Sequence, residues 1–249
     1  IHRSNPCSMK PMEMKADLFF DLDRTLWDFD RNSREALEEI FLELATPVMP
    51  RMISASRFIQ VYEVENEKCW RDYREGKLNQ QQLRPLRFQR TMEGLGFPDM
   101  DGGKELAHAM GEAYVQRAPF RTQLIPDALD VVKTLASRGH RMFILTNGFD
   151  EVQHIKMQHS GLGPYFEKVF TSDALGYKKP HPRAFECCLE HTDSSVERAV
   201  MIGDDLECDV VGAKEAGWRQ VHFNPKGHRN REQIWRTVTR LTDILALPL

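Results

Sequence analysis

Two short segments of the sequence place aspartates at the end of an apolar run. Asp21 ends the run at residues 16–21, Asp23 lies two residues later, and Asp204 follows the run Ala199–Gly203. Residues i and i+2 of an extended strand face the same side, so the carboxylates of Asp21 and Asp23 can converge. Neighbouring carboxylates repel one another unless a cation binds, and hard oxygen ligands suit Mg²⁺. These aspartates therefore predict a magnesium site.

Two further segments offer a hydroxyl group and a cation. Thr146 ends the apolar run Arg141–Thr146, with Asn147 next to it, and Lys179 precedes Pro180 in a later loop. A threonine hydroxyl, a lysine and a metal ion each present a donor or a positive charge to a phosphoryl group in transfer. One carboxylate in such a site can act as the nucleophile, and a second can carry the proton. The chemistry we expect is phosphoryl transfer.

The elements that must position these residues alternate along much of the chain. Five apolar runs are typical of parallel strands covered on both faces; they are 16–21, Arg141–Thr146, Lys168–Thr171, Ala199–Gly203 and 220–223. Helical patterns follow most of them, at 126–137, Asp150–His159, Pro182–Glu190 and 206–216. This alternation predicts an α/β fold with a doubly wound parallel sheet. Sites of open α/β sheets lie at the carboxyl ends of the strands, where the residues above are found.

Residues 28–120 break the alternation. They contain no convincing strand, and Asn32 is the predicted N-cap of a helix whose apolar residues recur at helical spacing. Further helices are predicted at about 54–74, 79–94 and 102–117. We therefore predict a helical cap domain, residues 28–120, inserted into an α/β core made of residues 16–27 and 121–249. Residues 231–245 predict a closing helix, and residues 1–15 a disordered leader or tag.

Composition excludes several classes of protein. The 249 residues carry a formal net charge of −3, which argues against a nucleic-acid or acidic-membrane binder. No run approaches the roughly 18 apolar residues of a membrane span. The five cysteines form no C-x-x-C pair and are odd in number, which favours a reduced chain in the cytoplasm. The nine histidines lack metal-ligand spacing, so zinc is not expected.

Four motifs in a fixed order carry a resemblance to a known family. D-x-D-x-T begins at Asp21, T-N-G at Thr146, K-P at Lys179 and G-D-D-x-x-x-D at Gly203. Over about residues 16–225 this order resembles the haloacid dehalogenase-like (HAD) hydrolase superfamily. The resemblance implies a HAD-like, Rossmann-like core with a helical cap. It also implies Mg²⁺-dependent hydrolysis of a phosphomonoester through an aspartyl-phosphate intermediate.

The resemblance implies a role for individual residues of the core. Asp21 resembles the nucleophile that forms the aspartyl-phosphate, and Asp23 resembles the acid/base that protonates the leaving oxygen and then activates water. Thr146 and the backbone N–H of Asn147 resemble the groups that hold the phosphoryl oxygens. Lys179 resembles the lysine that neutralises both the nucleophile and the phosphate. These five residues are the predicted catalytic and phosphate-binding set.

The resemblance also implies how the metal is held. Asp21, the main-chain carbonyl of Asp23 and Asp204 would bind Mg²⁺. Asp209 would support the metal or the catalytic lysine from outside the ligand sphere. Asp205 has two alternatives, since it can point to a metal-bound water or cap the helix that follows.

Part of the cap resembles one branch of the superfamily. Trp70-x-Asp72-Tyr73 with Gly76, and Phe149 after T-N-G, resemble pyrimidine 5′-nucleotidases, which act on nucleoside monophosphates including noncanonical ones. This implies a nucleoside monophosphate as the small-molecule substrate, contacted by Trp70, Tyr73 and Phe149. Trp70 and Tyr73 can instead pack between helices, being at i, i+3. Glutamates dilute a basic stretch in the same region, which predicts a solvated face; its members are Arg71, Arg74, Lys77, Arg84, Arg87 and Arg90.

Other functions remain open from the sequence. A sugar-phosphate or phosphoglycolate phosphatase of the same superfamily is the main alternative, and a phosphomutase is less favoured. A 2-haloacid dehalogenase does not need the proton-transferring Asp23. A signalling receiver domain also uses Asp, Thr and Lys, but it is much shorter and has no large insertion after the first strand. A binding module without activity would be expected to lack an aspartate. We expect a monomer or homodimer with no nucleic-acid or membrane partner.

Overall fold

A computed structural model describes residues 15–49, 52–97 and 102–249. The predicted leader therefore lies outside the described residues, except for Lys15. The described part of the chain contains a six-stranded sheet in which all neighbours are parallel. Its strands are β1 (Asp17–Phe20), β2 (Arg141–Thr146), β3 (Lys168–Thr171), β4 (Ala199–Gly203), β5 (Arg219–Phe223) and β6 (Arg236–Val238).

The strand order is β3-β2-β1-β4-β5-β6, with β1 in the interior of the sheet. The sheet winds outward from β1 in both directions, so the predicted doubly wound α/β fold is confirmed, as are its five predicted strands. Because β1 lies between β2 and β4, the carboxyl ends of these three strands meet at one edge. The strands that carry Asp21, Thr146 and Asp204 are therefore immediate neighbours.

Nine α-helices are found among the described residues. Four lie between β1 and β2, before the helix that leads into β2: α1 (Phe29–Ile40), α2 (Ala55–Arg74), α3 (Gln80–Gly94) and α4 (Gly103–Arg117). The others are α5 (Ala128–Ser137), α6 (Asp150–His159), α7 (Ser172–Leu175), α8 (Pro182–Glu190) and α9 (Gly212–Glu215). A π-helical turn, Leu206–Val211, leads into α9, so the helix predicted at 206–216 is present with an altered first part.

Both faces of the sheet are covered, which explains the unbroken apolar runs of its strands. Leu18 and Phe20 of β1 belong to an apolar cluster on one face that includes residues of α5. Phe19, between them, belongs to a second cluster that includes Phe185 of α8 and Trp218. Side chains of a strand alternate between the two faces, so one short strand contributes to both clusters.

The helices between β1 and β2 have a core of their own. We call residues 29–120 the helical segment. Four of its aromatic side chains, Phe58, Tyr62, Phe88 and Tyr114, are buried together with the apolar faces of α1 and α4. The three helices predicted at about 54–74, 79–94 and 102–117 are confirmed by α2, α3 and α4.

The start of α1 differs from the prediction. Asp28, not Asn32, caps the helix, and its carboxylate accepts a hydrogen bond from the N–H of Arg31 at 3.1 Å. Asn32 is fully buried one turn later. Its side chain donates to the carbonyl of Gln123 at 2.8 Å and accepts from the N–H of Gln123 at 3.2 Å. The amide thus fastens the chain entering the helical segment to the chain leaving it.

The C-terminal region corrects a second prediction, because residues 231–245 do not form a helix. They contain β6 and a 3₁₀ helix at Leu241–Ala246. Thr237 and Val238 are β-branched and pair with β5, while the N–H of Trp235 donates to the Gln220 side chain at 2.9 Å. None of the helices in the described ranges is long and apolar enough to cross a membrane. The four cysteines within those ranges are buried and form no disulfide.

Candidate active site

A buried lysine lies at the centre of the carboxyl edge of the sheet. Lys179 is 2% exposed, and its ammonium donates to Asp21 Oδ1 at 2.9 Å, Asp209 Oδ1 at 2.6 Å and the carbonyl of Leu145 at 2.6 Å. Burial acts to lower the pKa of Lys179, but Asp209 and Asp21 outweigh it and raise the pKa above its usual value. The lysine is therefore a permanent cation fixed against Asp21.

Three carboxylates surround this edge more densely than one lysine can balance. One oxygen each from Asp21, Asp204 and Asp209 lie within 4.8 Å of one another. Burial, followed by the charges of Asp21 and Asp209, raises the pKa of Asp204 to about 8. Burial also raises the pKa of Asp209 to about 7, although Lys179 opposes it, and raises the pKa of Asp21. A second cation would relieve this repulsion, so the residues present fit a divalent metal ion.

Two glycines allow the polar side chains of the site to approach the backbone closely. A Cβ on Gly203 would overlap the carboxylate of Asp209, and a Cβ on Gly148 would overlap the amide of Gln153. Only glycine leaves room for these contacts. Steric constraints therefore explain why glycine occupies the first position of G-D-D and the last position of T-N-G in this chain.

Asp23 has a different environment from Asp21. Its carboxylate accepts two hydrogen bonds from Lys156 Nζ, at 2.6 and 2.9 Å, and one from Gln153 Nε2 at 2.9 Å. Gln153 also donates to the hydroxyl of Thr146 at 2.8 Å. Lys156 and Gln153 are both buried and lie on one face of α6. Helix α6 thus orients Asp23 and Thr146 together.

Asn147 holds the loop that carries the lysine. Its side chain donates to the carbonyl of Lys179 at 2.8 Å and accepts from the N–H of Lys179 at 2.7 Å. The carbonyl of Asn147 accepts a hydrogen bond from Ser172 at 3.2 Å. These contacts join the end of β2, the start of α7 and the lysine loop.

Aromatic rings join the helical segment to the core beside this site. Trp70 of α2 stacks on Phe149 with 5.3 Å between ring centroids, and Tyr73 meets the edge of Phe149 at 5.4 Å. Tyr73 and Phe149 are buried, and the Tyr73 hydroxyl lies 3.4 Å from that of Ser172. Tyr73 and Phe149 therefore pack at the boundary between segment and core, whereas Trp70 also lines a cleft.

The cleft lies between the helical segment and the carboxyl edge of the sheet. It has a volume of about 130 Å³. The sheet edge supplies the predicted polar set, namely Asp21, Asp23, Thr146, Asn147, Lys179, Asp204, Asp205 and Asp209. The helical segment supplies Asn66, Glu67, Trp70 and Arg74. A molecule in this cleft would contact the carboxylate and lysine cluster on one side and α2 on the other.

The same arrangement of strands and motifs defines a known enzyme family. The sequence model of the haloacid dehalogenase-like hydrolases matches residues 18–217, which span β1 to β4 and every polar residue of the cluster. The chain belongs to this family. It is therefore an enzyme, a HAD-like hydrolase.

Two relatives that are similar over most of their length have names of phosphatases, and a third is named only as a HAD-hydrolase. The pyrimidine 5′-nucleotidase YjjG of Escherichia coli is 30% identical over 228 residues, covering 91% of this chain and 94% of YjjG. The ribulose-1,5-bisphosphate 5-phosphatase of Halopiger xanaduensis is 32% identical over 213 residues, which cover 85% of this chain and 86% of that enzyme. The HAD-hydrolase YfnB of Bacillus subtilis, solved bound to magnesium, superposes with a TM-score of 0.79 at 26% identity, covering 93% of this chain and 97% of YfnB.

Asp204 and Asp205 of the HAD-like hydrolase have different surroundings despite being adjacent. The N–H of Asp204 donates to the Thr25 hydroxyl at 3.1 Å, and that hydroxyl lies 3.3 Å from Asp204 Oδ1. Asp205 instead accepts hydrogen bonds from the N–H groups of Glu207 and Cys208 at 2.9 and 2.8 Å. Asp205 thus caps the following turn, which is one of its two predicted alternatives.

Sequence reasoning missed two polar residues of this region and assigned a third to the wrong environment. Gln153 and Lys156 approach Asp23 from a helix rather than from a strand end. They are three residues apart on the helix that follows T-N-G, and this helical spacing is the signal that could have found them. Arg87 corrects the predicted solvated face, because it is only 4% exposed. Arg74 and Arg84 are also partly covered.

Proposed function

We propose that this HAD-like hydrolase is a Mg²⁺-dependent phosphomonoesterase that acts through an aspartyl-phosphate. The observation that carries the proposal is the Asp21 carboxylate at the carboxyl end of β1, held at 2.9 Å by a buried lysine beside Asp204. A carboxylate is a competent nucleophile toward phosphorus when nearby positive charge offsets the repulsion between two anions. Lys179 supplies part of that charge.

The proposed reaction has two displacements. An oxygen of Asp21 attacks phosphorus, the bond from phosphorus to the ester oxygen breaks, and Asp23 gives a proton to the departing alcohol. Water then attacks the phosphorus of the aspartyl-phosphate while Asp23 accepts its proton. Inorganic phosphate leaves and Asp21 is regenerated. Lys156 and Gln153 keep Asp23 in position for both transfers, at contacts of 2.6 to 2.9 Å.

The remaining polar residues bind rather than transfer. Thr146 and the N–H of Asn147 donate to phosphoryl oxygens, and Lys179 offsets the charge of Asp21 and of the phosphate. Asp21, the carbonyl of Asp23 and Asp204 would hold Mg²⁺. When bound, the ion supplies the second positive charge that the buried carboxylates and a phosphate require. Asp209 holds Lys179 at 2.6 Å.

The substrate we propose is a nucleoside 5′-monophosphate, hydrolysed in the cytoplasm. The aromatic rings beside the cleft and the likeness to a pyrimidine 5′-nucleotidase support it. A sugar-phosphate phosphatase is the second candidate, since the relative from Halopiger is as similar in sequence. The helical segment would act as a cap that admits substrate and excludes water during the first displacement.

The test is a steady-state screen of the purified protein with Mg²⁺ against nucleoside monophosphates and sugar phosphates. We expect D21N to lower kcat by at least about a thousand-fold, because the variant lacks the nucleophile. D193N is the control, since Asp193 is exposed and does not line the cleft. A chelator should abolish activity and added Mg²⁺ restore it. Substantial turnover by D21N would contradict the covalent route. Faster hydrolysis of sugar phosphates than of nucleoside monophosphates would show that the substrate is a sugar phosphate.

A further inference from the structure

The helical segment buries an arginine without a matching acid. Arg87 of α3 is 4% exposed, and no carboxylate within the described ranges lies at ion-pair distance from it. Its Nε donates to the carbonyl of Arg84 at 3.3 Å, and its Nη1 donates to Asn66 Oδ1 at 3.4 Å. Its guanidinium carbon lies 4.6 Å from the ring centroid of Tyr114. All of these contacts are neutral and two are long, so they balance the charge poorly.

Arg87 borders a cavity that opens beside the proposed acid/base. This second cavity has a volume of about 50 Å³, which admits a base only when the helical segment moves outward, and it shares Asp23, Phe29, Trp70 and Gly148 with the phosphate cleft. Asn66, the side-chain partner of Arg87, lines the phosphate cleft itself. In the proposed reaction Asp23 protonates the oxygen of the departing alcohol. The rest of that leaving group would therefore lie beside this cavity.

The walls of the second cavity are flat and mostly apolar. Five aromatic rings line it, from Trp27, Phe29, Trp70, Tyr114 and Phe149. Stacked rings of this kind suit a planar heterocycle, whereas the hydroxyl groups of a bare sugar would lose their water without gaining partners. The guanidinium carries only donors, so it suits a carbonyl oxygen of that heterocycle and not a ring amino group.

We propose that Arg87 is the residue that selects the leaving group, by donating a hydrogen bond to a carbonyl oxygen of a planar base held among these rings. The inference rests on the proposed function, since it names how the same enzyme recognises the nucleoside. It also explains the buried charge. Because no acid pairs with it, Arg87 can still donate to a ligand, and a base carbonyl adds an acceptor where the existing contacts are few and long.

The test compares UMP with ribose 5-phosphate, which is similar to UMP without its base, for the wild type and for R87M. We expect the wild type to prefer UMP. R87M should lower kcat/KM for UMP by at least about tenfold and leave that for ribose 5-phosphate within about twofold, since only UMP has the carbonyl group. R90M is the matched control, because Arg90 lies on the same helix and pairs with Asp72 at 2.9 Å instead of lining the cavity.

Each outcome separates base recognition from the proposed function. If R87M loses kcat/KM equally on both substrates, or loses none on UMP, the proposed role of Arg87 is wrong. The proposed nucleotidase activity would not be affected by either result. If the wild type hydrolyses ribose 5-phosphate as efficiently as UMP, the proposed nucleotide substrate is wrong, and base recognition is wrong with it. If R87M does not fold, R87K serves, because it keeps the charge but lacks the planar fork. A selective loss on UMP by R87K supports the proposal, and an equal loss on both substrates contradicts it.

Discussion

Lys179 shows how one residue can organise a site that has too much negative charge. Its ammonium contacts Asp21 and Asp209 and is held by the carbonyl of Leu145, so its three donor positions are all used. A lysine fixed this way cannot swing toward a substrate but can neutralise a nucleophile in place. Asp209, which could be read from the sequence only as a supporting residue, is its closest carboxylate partner.

The charge that Lys179 leaves unbalanced predicts how stability depends on pH in the metal-free protein. Unfolded aspartates have a pKa near 3.9, whereas the pKa values of Asp204 and Asp209 are raised to about 8 and about 7. Between these limits the folded state binds more protons, so the free energy of unfolding falls as pH rises. The slope for each group is of the order of 1.4 kcal/mol per pH unit.

Urea unfolding with chelator at several values between pH 5 and pH 9 measures this slope. Mg²⁺ should flatten it, because a bound cation stabilises the ionised carboxylates. D204N should also have a smaller slope than the wild type, since it lacks one of the carboxyl groups whose pKa is raised. A metal-free protein that becomes more stable from pH 5 to pH 8 would contradict the burial of these charges.

At the scale of elements, the strand ends could be read from the sequence and the helix faces could not. Asp21, Thr146 and Asp204 follow buried apolar runs, and parallel strands bring their carboxyl ends together whatever the details of packing. Gln153, Lys156 and Arg87 depend on which way a helix turns its side chains, which only tertiary packing decides. Strand β6 was missed for a similar reason, since three residues at a sheet edge carry little pattern of their own.

The face of α6 gives a prediction of its own. Lys156 is 5% exposed and supplies two of the three hydrogen bonds to the Asp23 carboxylate. K156M should lower kcat by about tenfold or more with little change in KM, because Asp23 loses its orientation while the phosphate contacts remain. Steady-state kinetics on a nucleoside monophosphate provide the measurement. K133M, at an exposed lysine of α5, should retain wild-type activity; equal losses in both variants would exclude a specific role for Lys156.

At the scale of the whole molecule, the chain passes twice between the sheet and the helical segment. The described structure places the helical segment in contact with the core. Asn32 fastens the crossings to each other through Gln123. Farther from them, Lys178 donates to the carbonyl of Tyr73 at 2.8 Å, and Arg84 pairs with Glu151. The Arg84–Glu151 ion pair is partly exposed, and such pairs contribute about 0 to 1 kcal/mol. Opening of the segment as one body would have to separate the packed rings of Trp70, Tyr73 and Phe149 while the crossings stay attached.

Opening of that kind should be visible through Trp70, which stacks on Phe149 across the boundary. Separation of segment from core would expose the indole, so acrylamide should quench its fluorescence in the free enzyme. Mg²⁺ together with a phosphate analogue would occupy the cleft between segment and sheet and should favour closure, which we expect to lower the quenching constant of Trp70 by roughly half. W70F identifies the Trp70 signal by difference, because Trp27, Trp218 and Trp235 remain. Quenching that is unchanged by the ligands in the wild type would indicate a segment fixed on the core, in which substrate reaches Asp21 without any opening.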